Sequence, residues 1–123
     1  MIALVFVVAL VTGCKGLQIE RALLSGSGDW FTLGGSATRA NRSASTVSPP
    51  LHEIWQYDAG SGLTASPLVR DSLMIVCTLK GELHAVNVQT GKRIGYVNLD
   101  GAVMGTPVWN RTWIYAPIST EGD

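Results

Sequence analysis

A repeat of 40 residues is the feature that most restricts how this chain can fold. When the sequence is shifted by 40 positions, residues 51–77 align with residues 91–117 without a gap. Polar turns and apolar runs recur at the same places in both copies, and a hydroxyl residue followed by proline recurs at Ser66 with Thr106 and at Pro67 with Pro107. Each copy is therefore one structural unit that stacks on its neighbour.

Residues 64–99 contain four short runs of strand-forming residues separated by three polar turns. None shows the spacing of about 3.6 residues that marks an amphipathic helix, and the runs cover residues 64–69, 73–78, 82–88 and 92–99. Gly81 and Gly91 close the second and third turns, where a tight turn calls for positive φ. A period near 40 with four strands per unit predicts a β-propeller blade.

The expected fold class is all-β: an incomplete β-propeller of four-stranded antiparallel blades, the N-terminal part of a larger propeller. Residues 53–58 alternate polar and apolar, which predicts a leading strand before the first full blade. The predicted domains are a signal peptide (1–13), a flexible tether (14–29), a segment that leads into the propeller (30–50) and the blades (51–123). The last of these holds one full blade and partial blades.

The amino terminus has the pattern of an exported lipoprotein. Residues 2–11 are all apolar, a run shorter than the about 20 residues of a membrane-spanning helix and typical of the core of a signal peptide. The Val-Thr-Gly-Cys sequence that ends at Cys14 resembles a bacterial lipobox, which implies cleavage before Cys14 and its lipidation. An ordinary secretory signal with a chance cysteine stays open, as does a start further upstream, because no basic residue precedes Lys15.

Charge and cysteine content limit the kinds of partner that the chain is expected to have. Nine basic and nine acidic side chains cancel, without a long run of like charges, so no nucleic-acid binding is predicted. Contact with the membrane is expected through the lipid anchor on Cys14. Cys77 lies in an apolar run and is expected to be a small buried side chain rather than a reactive thiol or a disulfide partner.

The repeat resembles that of pyrroloquinoline-quinone-like (PQQ-like) β-propellers. The motif combines a Ser-Pro start, an apolar strand, a Gly-x-Leu-x-Ala strand and a Thr-Gly-Lys turn, here Ser66, Pro67, Gly81, Leu83, Ala85, Thr90, Gly91 and Lys92. The preceding segment resembles that of the same proteins through Trp30, Gly34, Gly35, Arg39, Pro50, Leu51 and Trp55. The chain departs from the motif at Asn87, where the family often has Asp, and at Gly95-Tyr96, where it often has Trp.

The lipobox and the repeat together resemble the outer-membrane protein assembly factor B group. This resemblance implies a non-enzymatic protein-interaction scaffold without a cofactor, lipid-anchored in the bacterial cell envelope and facing the periplasm. Lys15, directly after the lipidated cysteine, favours the outer membrane. The alternative is a periplasmic PQQ-dependent quinoprotein oxidoreductase, whose quinone and calcium ligands would lie in blades beyond this sequence. Such enzymes often carry a vicinal cysteine pair, which this sequence lacks.

Two kinds of partner contact are predicted for the scaffold. Trp109 and Trp113 fall on adjacent strands, where they would form an exposed aromatic patch or pack between blades. Outer blade edges would bind strands of envelope proteins by β-augmentation. No catalytic or metal-binding set is predicted, because His52 and His84 lack Cys or Asp companions at ligand spacing.

Overall fold

The described part of the chain forms eight strands in three antiparallel sheets. A computed structural model describes Leu17, Ile19 and residues 23–119, so the predicted signal peptide and Cys14 lie outside the described residues. The strands are β1 (Leu68–Arg70), β2 (Leu73–Cys77), β3 (Glu82–Asn87), β4 (Arg93–Asn98), β5 (Ala102–Val103), β6 (Val108–Asn110), β7 (Trp113–Tyr115) and β8 (Ile118–Ser119). The sheet orders are β1-β2-β3-β4, β5-β8 and β6-β7. No helix occurs among these residues.

The strands β1 to β4 are the four predicted strands of the first blade. β2 and β3 are buried along most of their length. These central strands carry apolar residues on both faces, so both faces can be covered. β1 begins later than the predicted residue 64, since Pro67 has no N–H to give to a ladder. Ahead of Pro67, the chain still touches the sheet through an isolated bridge between Leu63 and Thr78.

The second repeat pairs its strands in the same register as the first. Its β6–β7 hairpin corresponds to β1–β2, and its β5–β8 pair corresponds to the isolated bridge of the first repeat. The equivalent pairs, 40 positions apart, are Leu68–Ile75 with Val108–Tyr115 and Leu63–Thr78 with Val103–Ile118. Residues after the first blade therefore form the first half of a second blade.

The turns repeat along with the strands. Positive φ values recur 40 positions apart, at Gly60 with Asp100 and at Asp71 with Arg111. The carboxylate of Asp58 accepts the N–H of Gly60 at 2.7 Å, and the side chain of Asn98 accepts the N–H of Asp100 at 2.9 Å. Because Asp and Asn both bond the backbone two residues on, the same turn forms in both copies with different residues.

The core lies between the two repeats. Alternation along β2 and β3 places Leu73, Ile75 and Leu83 on one face of the first blade. This face packs with Val103 and Trp109 of the second repeat in one buried apolar cluster. Two sheets joined face to face in this way are neighbouring blades. The predicted fold class is confirmed: the chain is all-β, with one complete four-stranded antiparallel blade and part of the next.

Residues 53–58 do not form the predicted leading strand. They pair with no strand among the described residues, although the side chains of Trp55 and Tyr57 pack on the first blade. The Nε1–H of Trp55 donates to the C=O of Val88 at 2.7 Å, and the hydroxyl of Tyr57 lies 2.6 Å from Nδ1 of His84. The alternating pattern therefore marked a half-buried segment correctly, but a strand also requires a neighbouring backbone to pair with.

The segment that leads into the propeller joins the first strands of both blades. Trp30 and Val69 exchange two backbone hydrogen bonds, of 2.7 and 2.9 Å, and the C=O of Phe31 accepts the N–H of Trp109 at 2.8 Å. Gly35 has a φ of 77°, and a Cβ added there would lie 2.7 Å from the ring of Trp30. The ring of Trp30 therefore packs directly against Gly35, where the positive φ and the close ring leave no room for a side chain.

Candidate interaction surface

The outer face of the β6–β7 hairpin is an apolar sheet face that no described residue covers fully. Val108, Trp113 and Tyr115 are 43%, 69% and 60% exposed. The residues 40 positions earlier are 0%, 1% and 1% exposed, because the second blade packs on them; they are Leu68, Leu73 and Ile75. In a propeller, a face of this kind is covered by the next blade.

An apolar groove of about 640 Å³ runs between the first blade and the β6–β7 hairpin. Its walls include Leu83, Val97 and Leu99 of the first blade and Trp109 and Ile114 of the hairpin. Arg70, Arg111 and Thr112 add polar groups to this lining. Protein sites that bind ligands have volumes of about 300–1,000 Å³, so the apolar groove has the size of a binding site.

The two tryptophans proposed for partner contact do not form one exposed patch. Trp109 opposes Ile114 and Trp113 opposes Asn110, so the two indoles leave opposite faces of the hairpin. Trp109 is 5% exposed and belongs to the core between the blades. The expectation of a joint exposed patch is therefore wrong for Trp109, which packs between blades, while Trp113 remains exposed for contact.

The Ser-Pro and Thr-Pro positions of the two repeats meet each other. The N–H of Ser66 donates to Oγ1 of Thr106 at 3.3 Å. The prolines that follow them differ in burial: Pro107 is fully buried, whereas Pro67 is exposed. The hydroxyl of Thr106 therefore helps to join successive repeats. This contact gives the recurrence of a hydroxyl residue at this position a structural cause. Among the described residues, neither hydroxyl is hydrogen-bonded to a base that could make it a nucleophile.

The other motif residues lie in the strands and turns of the first blade. Leu83 and Ala85 are buried on the face toward the second blade. In the β3–β4 turn, Thr90 accepts the N–H of Lys92 through Oγ1 at 3.4 Å. Gly91 has a φ of 66°, and an added Cβ would lie 2.7 Å from the ring of Trp55. These positions shape the blade and bring no pair of reactive groups together.

His84 is the centre of a buried polar cluster that the sequence did not predict. Its Nδ1 lies 2.6 Å from the hydroxyl of Tyr57, and its Nε2 lies 3.2 Å from Oε2 of Glu82. The rings of Tyr57 and Tyr96 meet the imidazole edge-on, with centroids 5.9 and 5.8 Å away. A neutral imidazole that donates to Glu82 and accepts from Tyr57 satisfies both nitrogens. Nothing in the spacing of these residues links the tyrosine to the histidine.

Cys77 is a buried free thiol on β2. Desolvation by the surrounding apolar side chains raises the pKa of this thiol from 9.0 to about 11. Because the thiolate is the reactive form, burial suppresses both the access and the chemistry of the sulfur. The structure agrees with the expected structural role of this residue.

In a chain that carries Cys14→Ser, Cys77 is expected to react with a disulfide-exchange reagent at pH 8 about a hundredfold more slowly than in urea, because the raised pKa lowers the thiolate fraction. The unfolded thiol loses its proton first, so the free energy of unfolding also falls as the pH rises above 9.0 toward about 11. Absorbance of the released thiol measures the rate. Equal rates with and without urea would contradict the burial of Cys77.

The described residues contain no group of three or more His, Cys, Asp or Glu side chains placed to hold a metal ion. A search of the same residues finds no helix that is long and apolar enough to cross a membrane. The lipidation predicted at Cys14 concerns a residue outside this part of the chain.

Comparisons with known proteins add a structural likeness. No protein-family model matches the sequence, and no curated protein matches it. The chain is similar to the crystal structure of a quinohemoprotein alcohol dehydrogenase from Comamonas testosteroni, with 27% sequence identity and a TM-score of 0.46. The likeness covers 59% of this chain and 12% of that protein. The blade architecture of this chain rests on its repeated strand registers and not on this likeness.

Proposed function

We propose that the chain is part of a membrane-anchored envelope lipoprotein whose propeller is a non-enzymatic scaffold for protein binding. The observation that supports this function is the repeat itself, because its motif residues are used in strands, in turns and in the contact between two successive blades.

The finer proposal places the protein in the bacterial envelope, lipid-anchored through Cys14 and facing the periplasm, with a role in the assembly of outer-membrane proteins. Its support is the lipobox at residues 11–14 and the resemblance of lipobox and repeat together to the assembly factor B group. Lys15 supports the outer membrane as the destination. Each buried CH₂ of an acyl chain contributes about 0.8 kcal/mol, so a single chain holds a protein to the membrane only marginally. Stable anchoring therefore requires more than one acyl chain.

Fractionation of bacteria that make Cys14→Ser tests the anchor. The variant is expected to move almost entirely from the membrane fraction to the soluble periplasm, because it lacks the thiol that carries the lipid. Lys15→Asp is the matched control: it keeps the cysteine, so the protein should stay in the membrane fraction while shifting toward the inner membrane. Immunoblots of the fractions give the readout. Unchanged fractionation of Cys14→Ser would remove lipidation from the proposal.

The alternative function is a PQQ-dependent oxidoreductase, the activity class suggested by the repeat and by the name of the structural neighbour. Reduction of an artificial electron-acceptor dye by the natural full-length protein, with PQQ, calcium and an alcohol supplied, separates the two functions. The scaffold proposal expects no PQQ-dependent reduction above the rate without protein. A PQQ-dependent rate would overturn the non-enzymatic proposal and leave the anchor to its own test.

A further inference from the structure

We infer that residues 25–41 form a plug inside the channel that runs along the axis of the propeller. The blades of a propeller stand around such a channel. Trp30 and Phe31 of the plug bond to the backbone edges of β1 and β6, the first strands of two successive blades. The inference goes beyond the proposed scaffold function, because it concerns access to the axis rather than the binding of a partner.

Hydrogen bonds join the two repeats at both ends of their first strands. At the start, the N–H of Ser66 donates to Oγ1 of Thr106 at 3.3 Å. At the end, Nη1 of Arg70 donates to the C=O of Arg111 at 2.5 Å. Blades radiate from the axis, so successive blades come closest together at their innermost strands. β1 and β6 are therefore the innermost strands, and their edges away from β2 and β7 border the channel.

The plug lies on these inner edges. Trp30 and Val69 exchange backbone hydrogen bonds of 2.7 and 2.9 Å, and the C=O of Phe31 accepts the N–H of Trp109 at 2.8 Å. Two neighbouring residues of one segment therefore reach both blades. The plug already satisfies the backbone groups that these strands present to the channel. A small ligand at this level of the axis would have to displace the plug to bond to them.

Side chains hold the plug beside the turns that follow the first strands. Oδ1 of Asp29 accepts the N–H of Asp71, in the β1–β2 turn, at 3.1 Å. The guanidinium carbon of Arg70 lies 5.9 Å from the ring centres of both Phe31 and Trp109. Cation–π contacts of this kind attract the side chain to both rings. Arg70 therefore connects the first blade to the plug and to the second blade at one point.

The plug folds back on itself. The N–H of Gly35 donates to the C=O of Thr32 at 2.9 Å, and the N–H of Asn41 donates to the C=O of Gly34 at 3.1 Å. Gly34 has a φ of 74°, and an added Cβ would lie 2.7 Å from Cα of Arg39. The segment is therefore a compact loop, which blocks more of a channel than a single extended strand would.

Cysteine accessibility in the natural full-length protein tests the position of the plug. Leu33, two residues after Phe31, is 44% exposed, and Gln89 is exposed in the β3–β4 turn, away from the inner strand. Leu33→Cys and the matched control Gln89→Cys are each treated with N-ethylmaleimide and with a maleimide on a long polyethylene glycol chain. Thiol labelling is followed by mass spectrometry, and the rate of the parent protein is subtracted.

The polymer is expected to be excluded from the channel until the plug opens, whereas the small reagent enters. The ratio of the two rates, small reagent over polymer, should therefore be at least about tenfold higher for Leu33→Cys than for Gln89→Cys. Equal ratios for the two variants would place the plug on the outer surface of the propeller and overturn the inference.

Amide hydrogen exchange tests whether the plug is seated on both blades. In Gly35→Ala, the added Cβ would overlap the ring of Trp30 and displace it. Exchange at Val69 and Trp109 is expected to become at least about tenfold faster, because both N–H groups donate to the plug. Gly28→Ala is the matched control, since a Cβ there meets no atom within 4 Å. Mass spectrometry that resolves single amides gives the readout on the full-length protein.

Amides of β3 bond within the first blade, so their exchange should stay within about threefold in both alanine variants. Unchanged exchange at either Val69 or Trp109 in Gly35→Ala would overturn the inference, because the plug would then not depend on Trp30. If Gly35→Ala does not fold, the cysteine measurement decides. Neither result alters the fractionation or dye tests, so failure here is distinguishable from failure of the proposed function.

Discussion

Gly81→Ala is expected to lower the free energy of unfolding by about 3 kcal/mol or more, a large part of the stability of a small domain. Gly81 has a φ of 78° in the β2–β3 turn, where a side chain costs about 1–2 kcal/mol. An added Cβ would also overlap the carbonyl group of Gly101, with 2.8 Å to its carbon. Because Gly101 lies in the connection to the second blade, relief would require this connection to move. Urea denaturation followed by tryptophan fluorescence measures the loss.

Gly60→Ala is the matched control for this strain. Gly60 also has positive φ, 71°, but a Cβ there would meet no atom within 4 Å. Its loss is expected to be about 1 kcal/mol, the cost of the backbone conformation without a steric overlap. Equal losses for the two alanine variants would show that the contact between Gly81 and the blade connection has no energetic weight.

Trp109→Ala is expected to lower the free energy of unfolding by about 3–5 kcal/mol, the usual cost of deleting a buried indole. Trp109 is buried in the cluster that joins the two blades, so its removal leaves a cavity between two sheets. The second half-blade would detach before the first blade unfolds. A urea titration read by circular dichroism and by exchange of the β6 and β7 amides would detect both steps.

Trp113→Ala removes the same side chain from the opposite face of the same hairpin. Trp113 is mostly exposed, so the loss is expected to stay below about 1 kcal/mol. A loss comparable to that of Trp109→Ala would mean that Trp113 is buried in solution by self-association, and light scattering at several concentrations would reveal it. The pair of variants therefore separates packing between blades from exposure on the outer face.

The repeat and the number of strands could be predicted from the sequence because both depend on local patterns. Apolar runs and polar turns with glycine specify where the chain extends and where it reverses. The four runs of the first blade became β1 to β4, with their ends shifted by a few residues. Positive φ at Gly81 and Gly91 follows from the same turn chemistry.

Contacts between distant segments could not be predicted in this way. Alternation at residues 53–58 is equally compatible with a strand and with a segment packed by its side chains, and the structure has the second. The two tryptophans, close in sequence, lie on opposite faces because the turn between them sets the register of the hairpin. The cluster around His84 joins residues that no local period relates.

The sequence by itself determined the unit of this protein: a strand-rich repeat of 40 residues whose turns close at fixed positions, since backbone conformation responds to near neighbours. Tertiary structure decided which faces are covered. Leu73 and Trp113 occupy the same place in their repeats, yet one is buried and the other exposed, because burial depends on whether another sheet packs against that face.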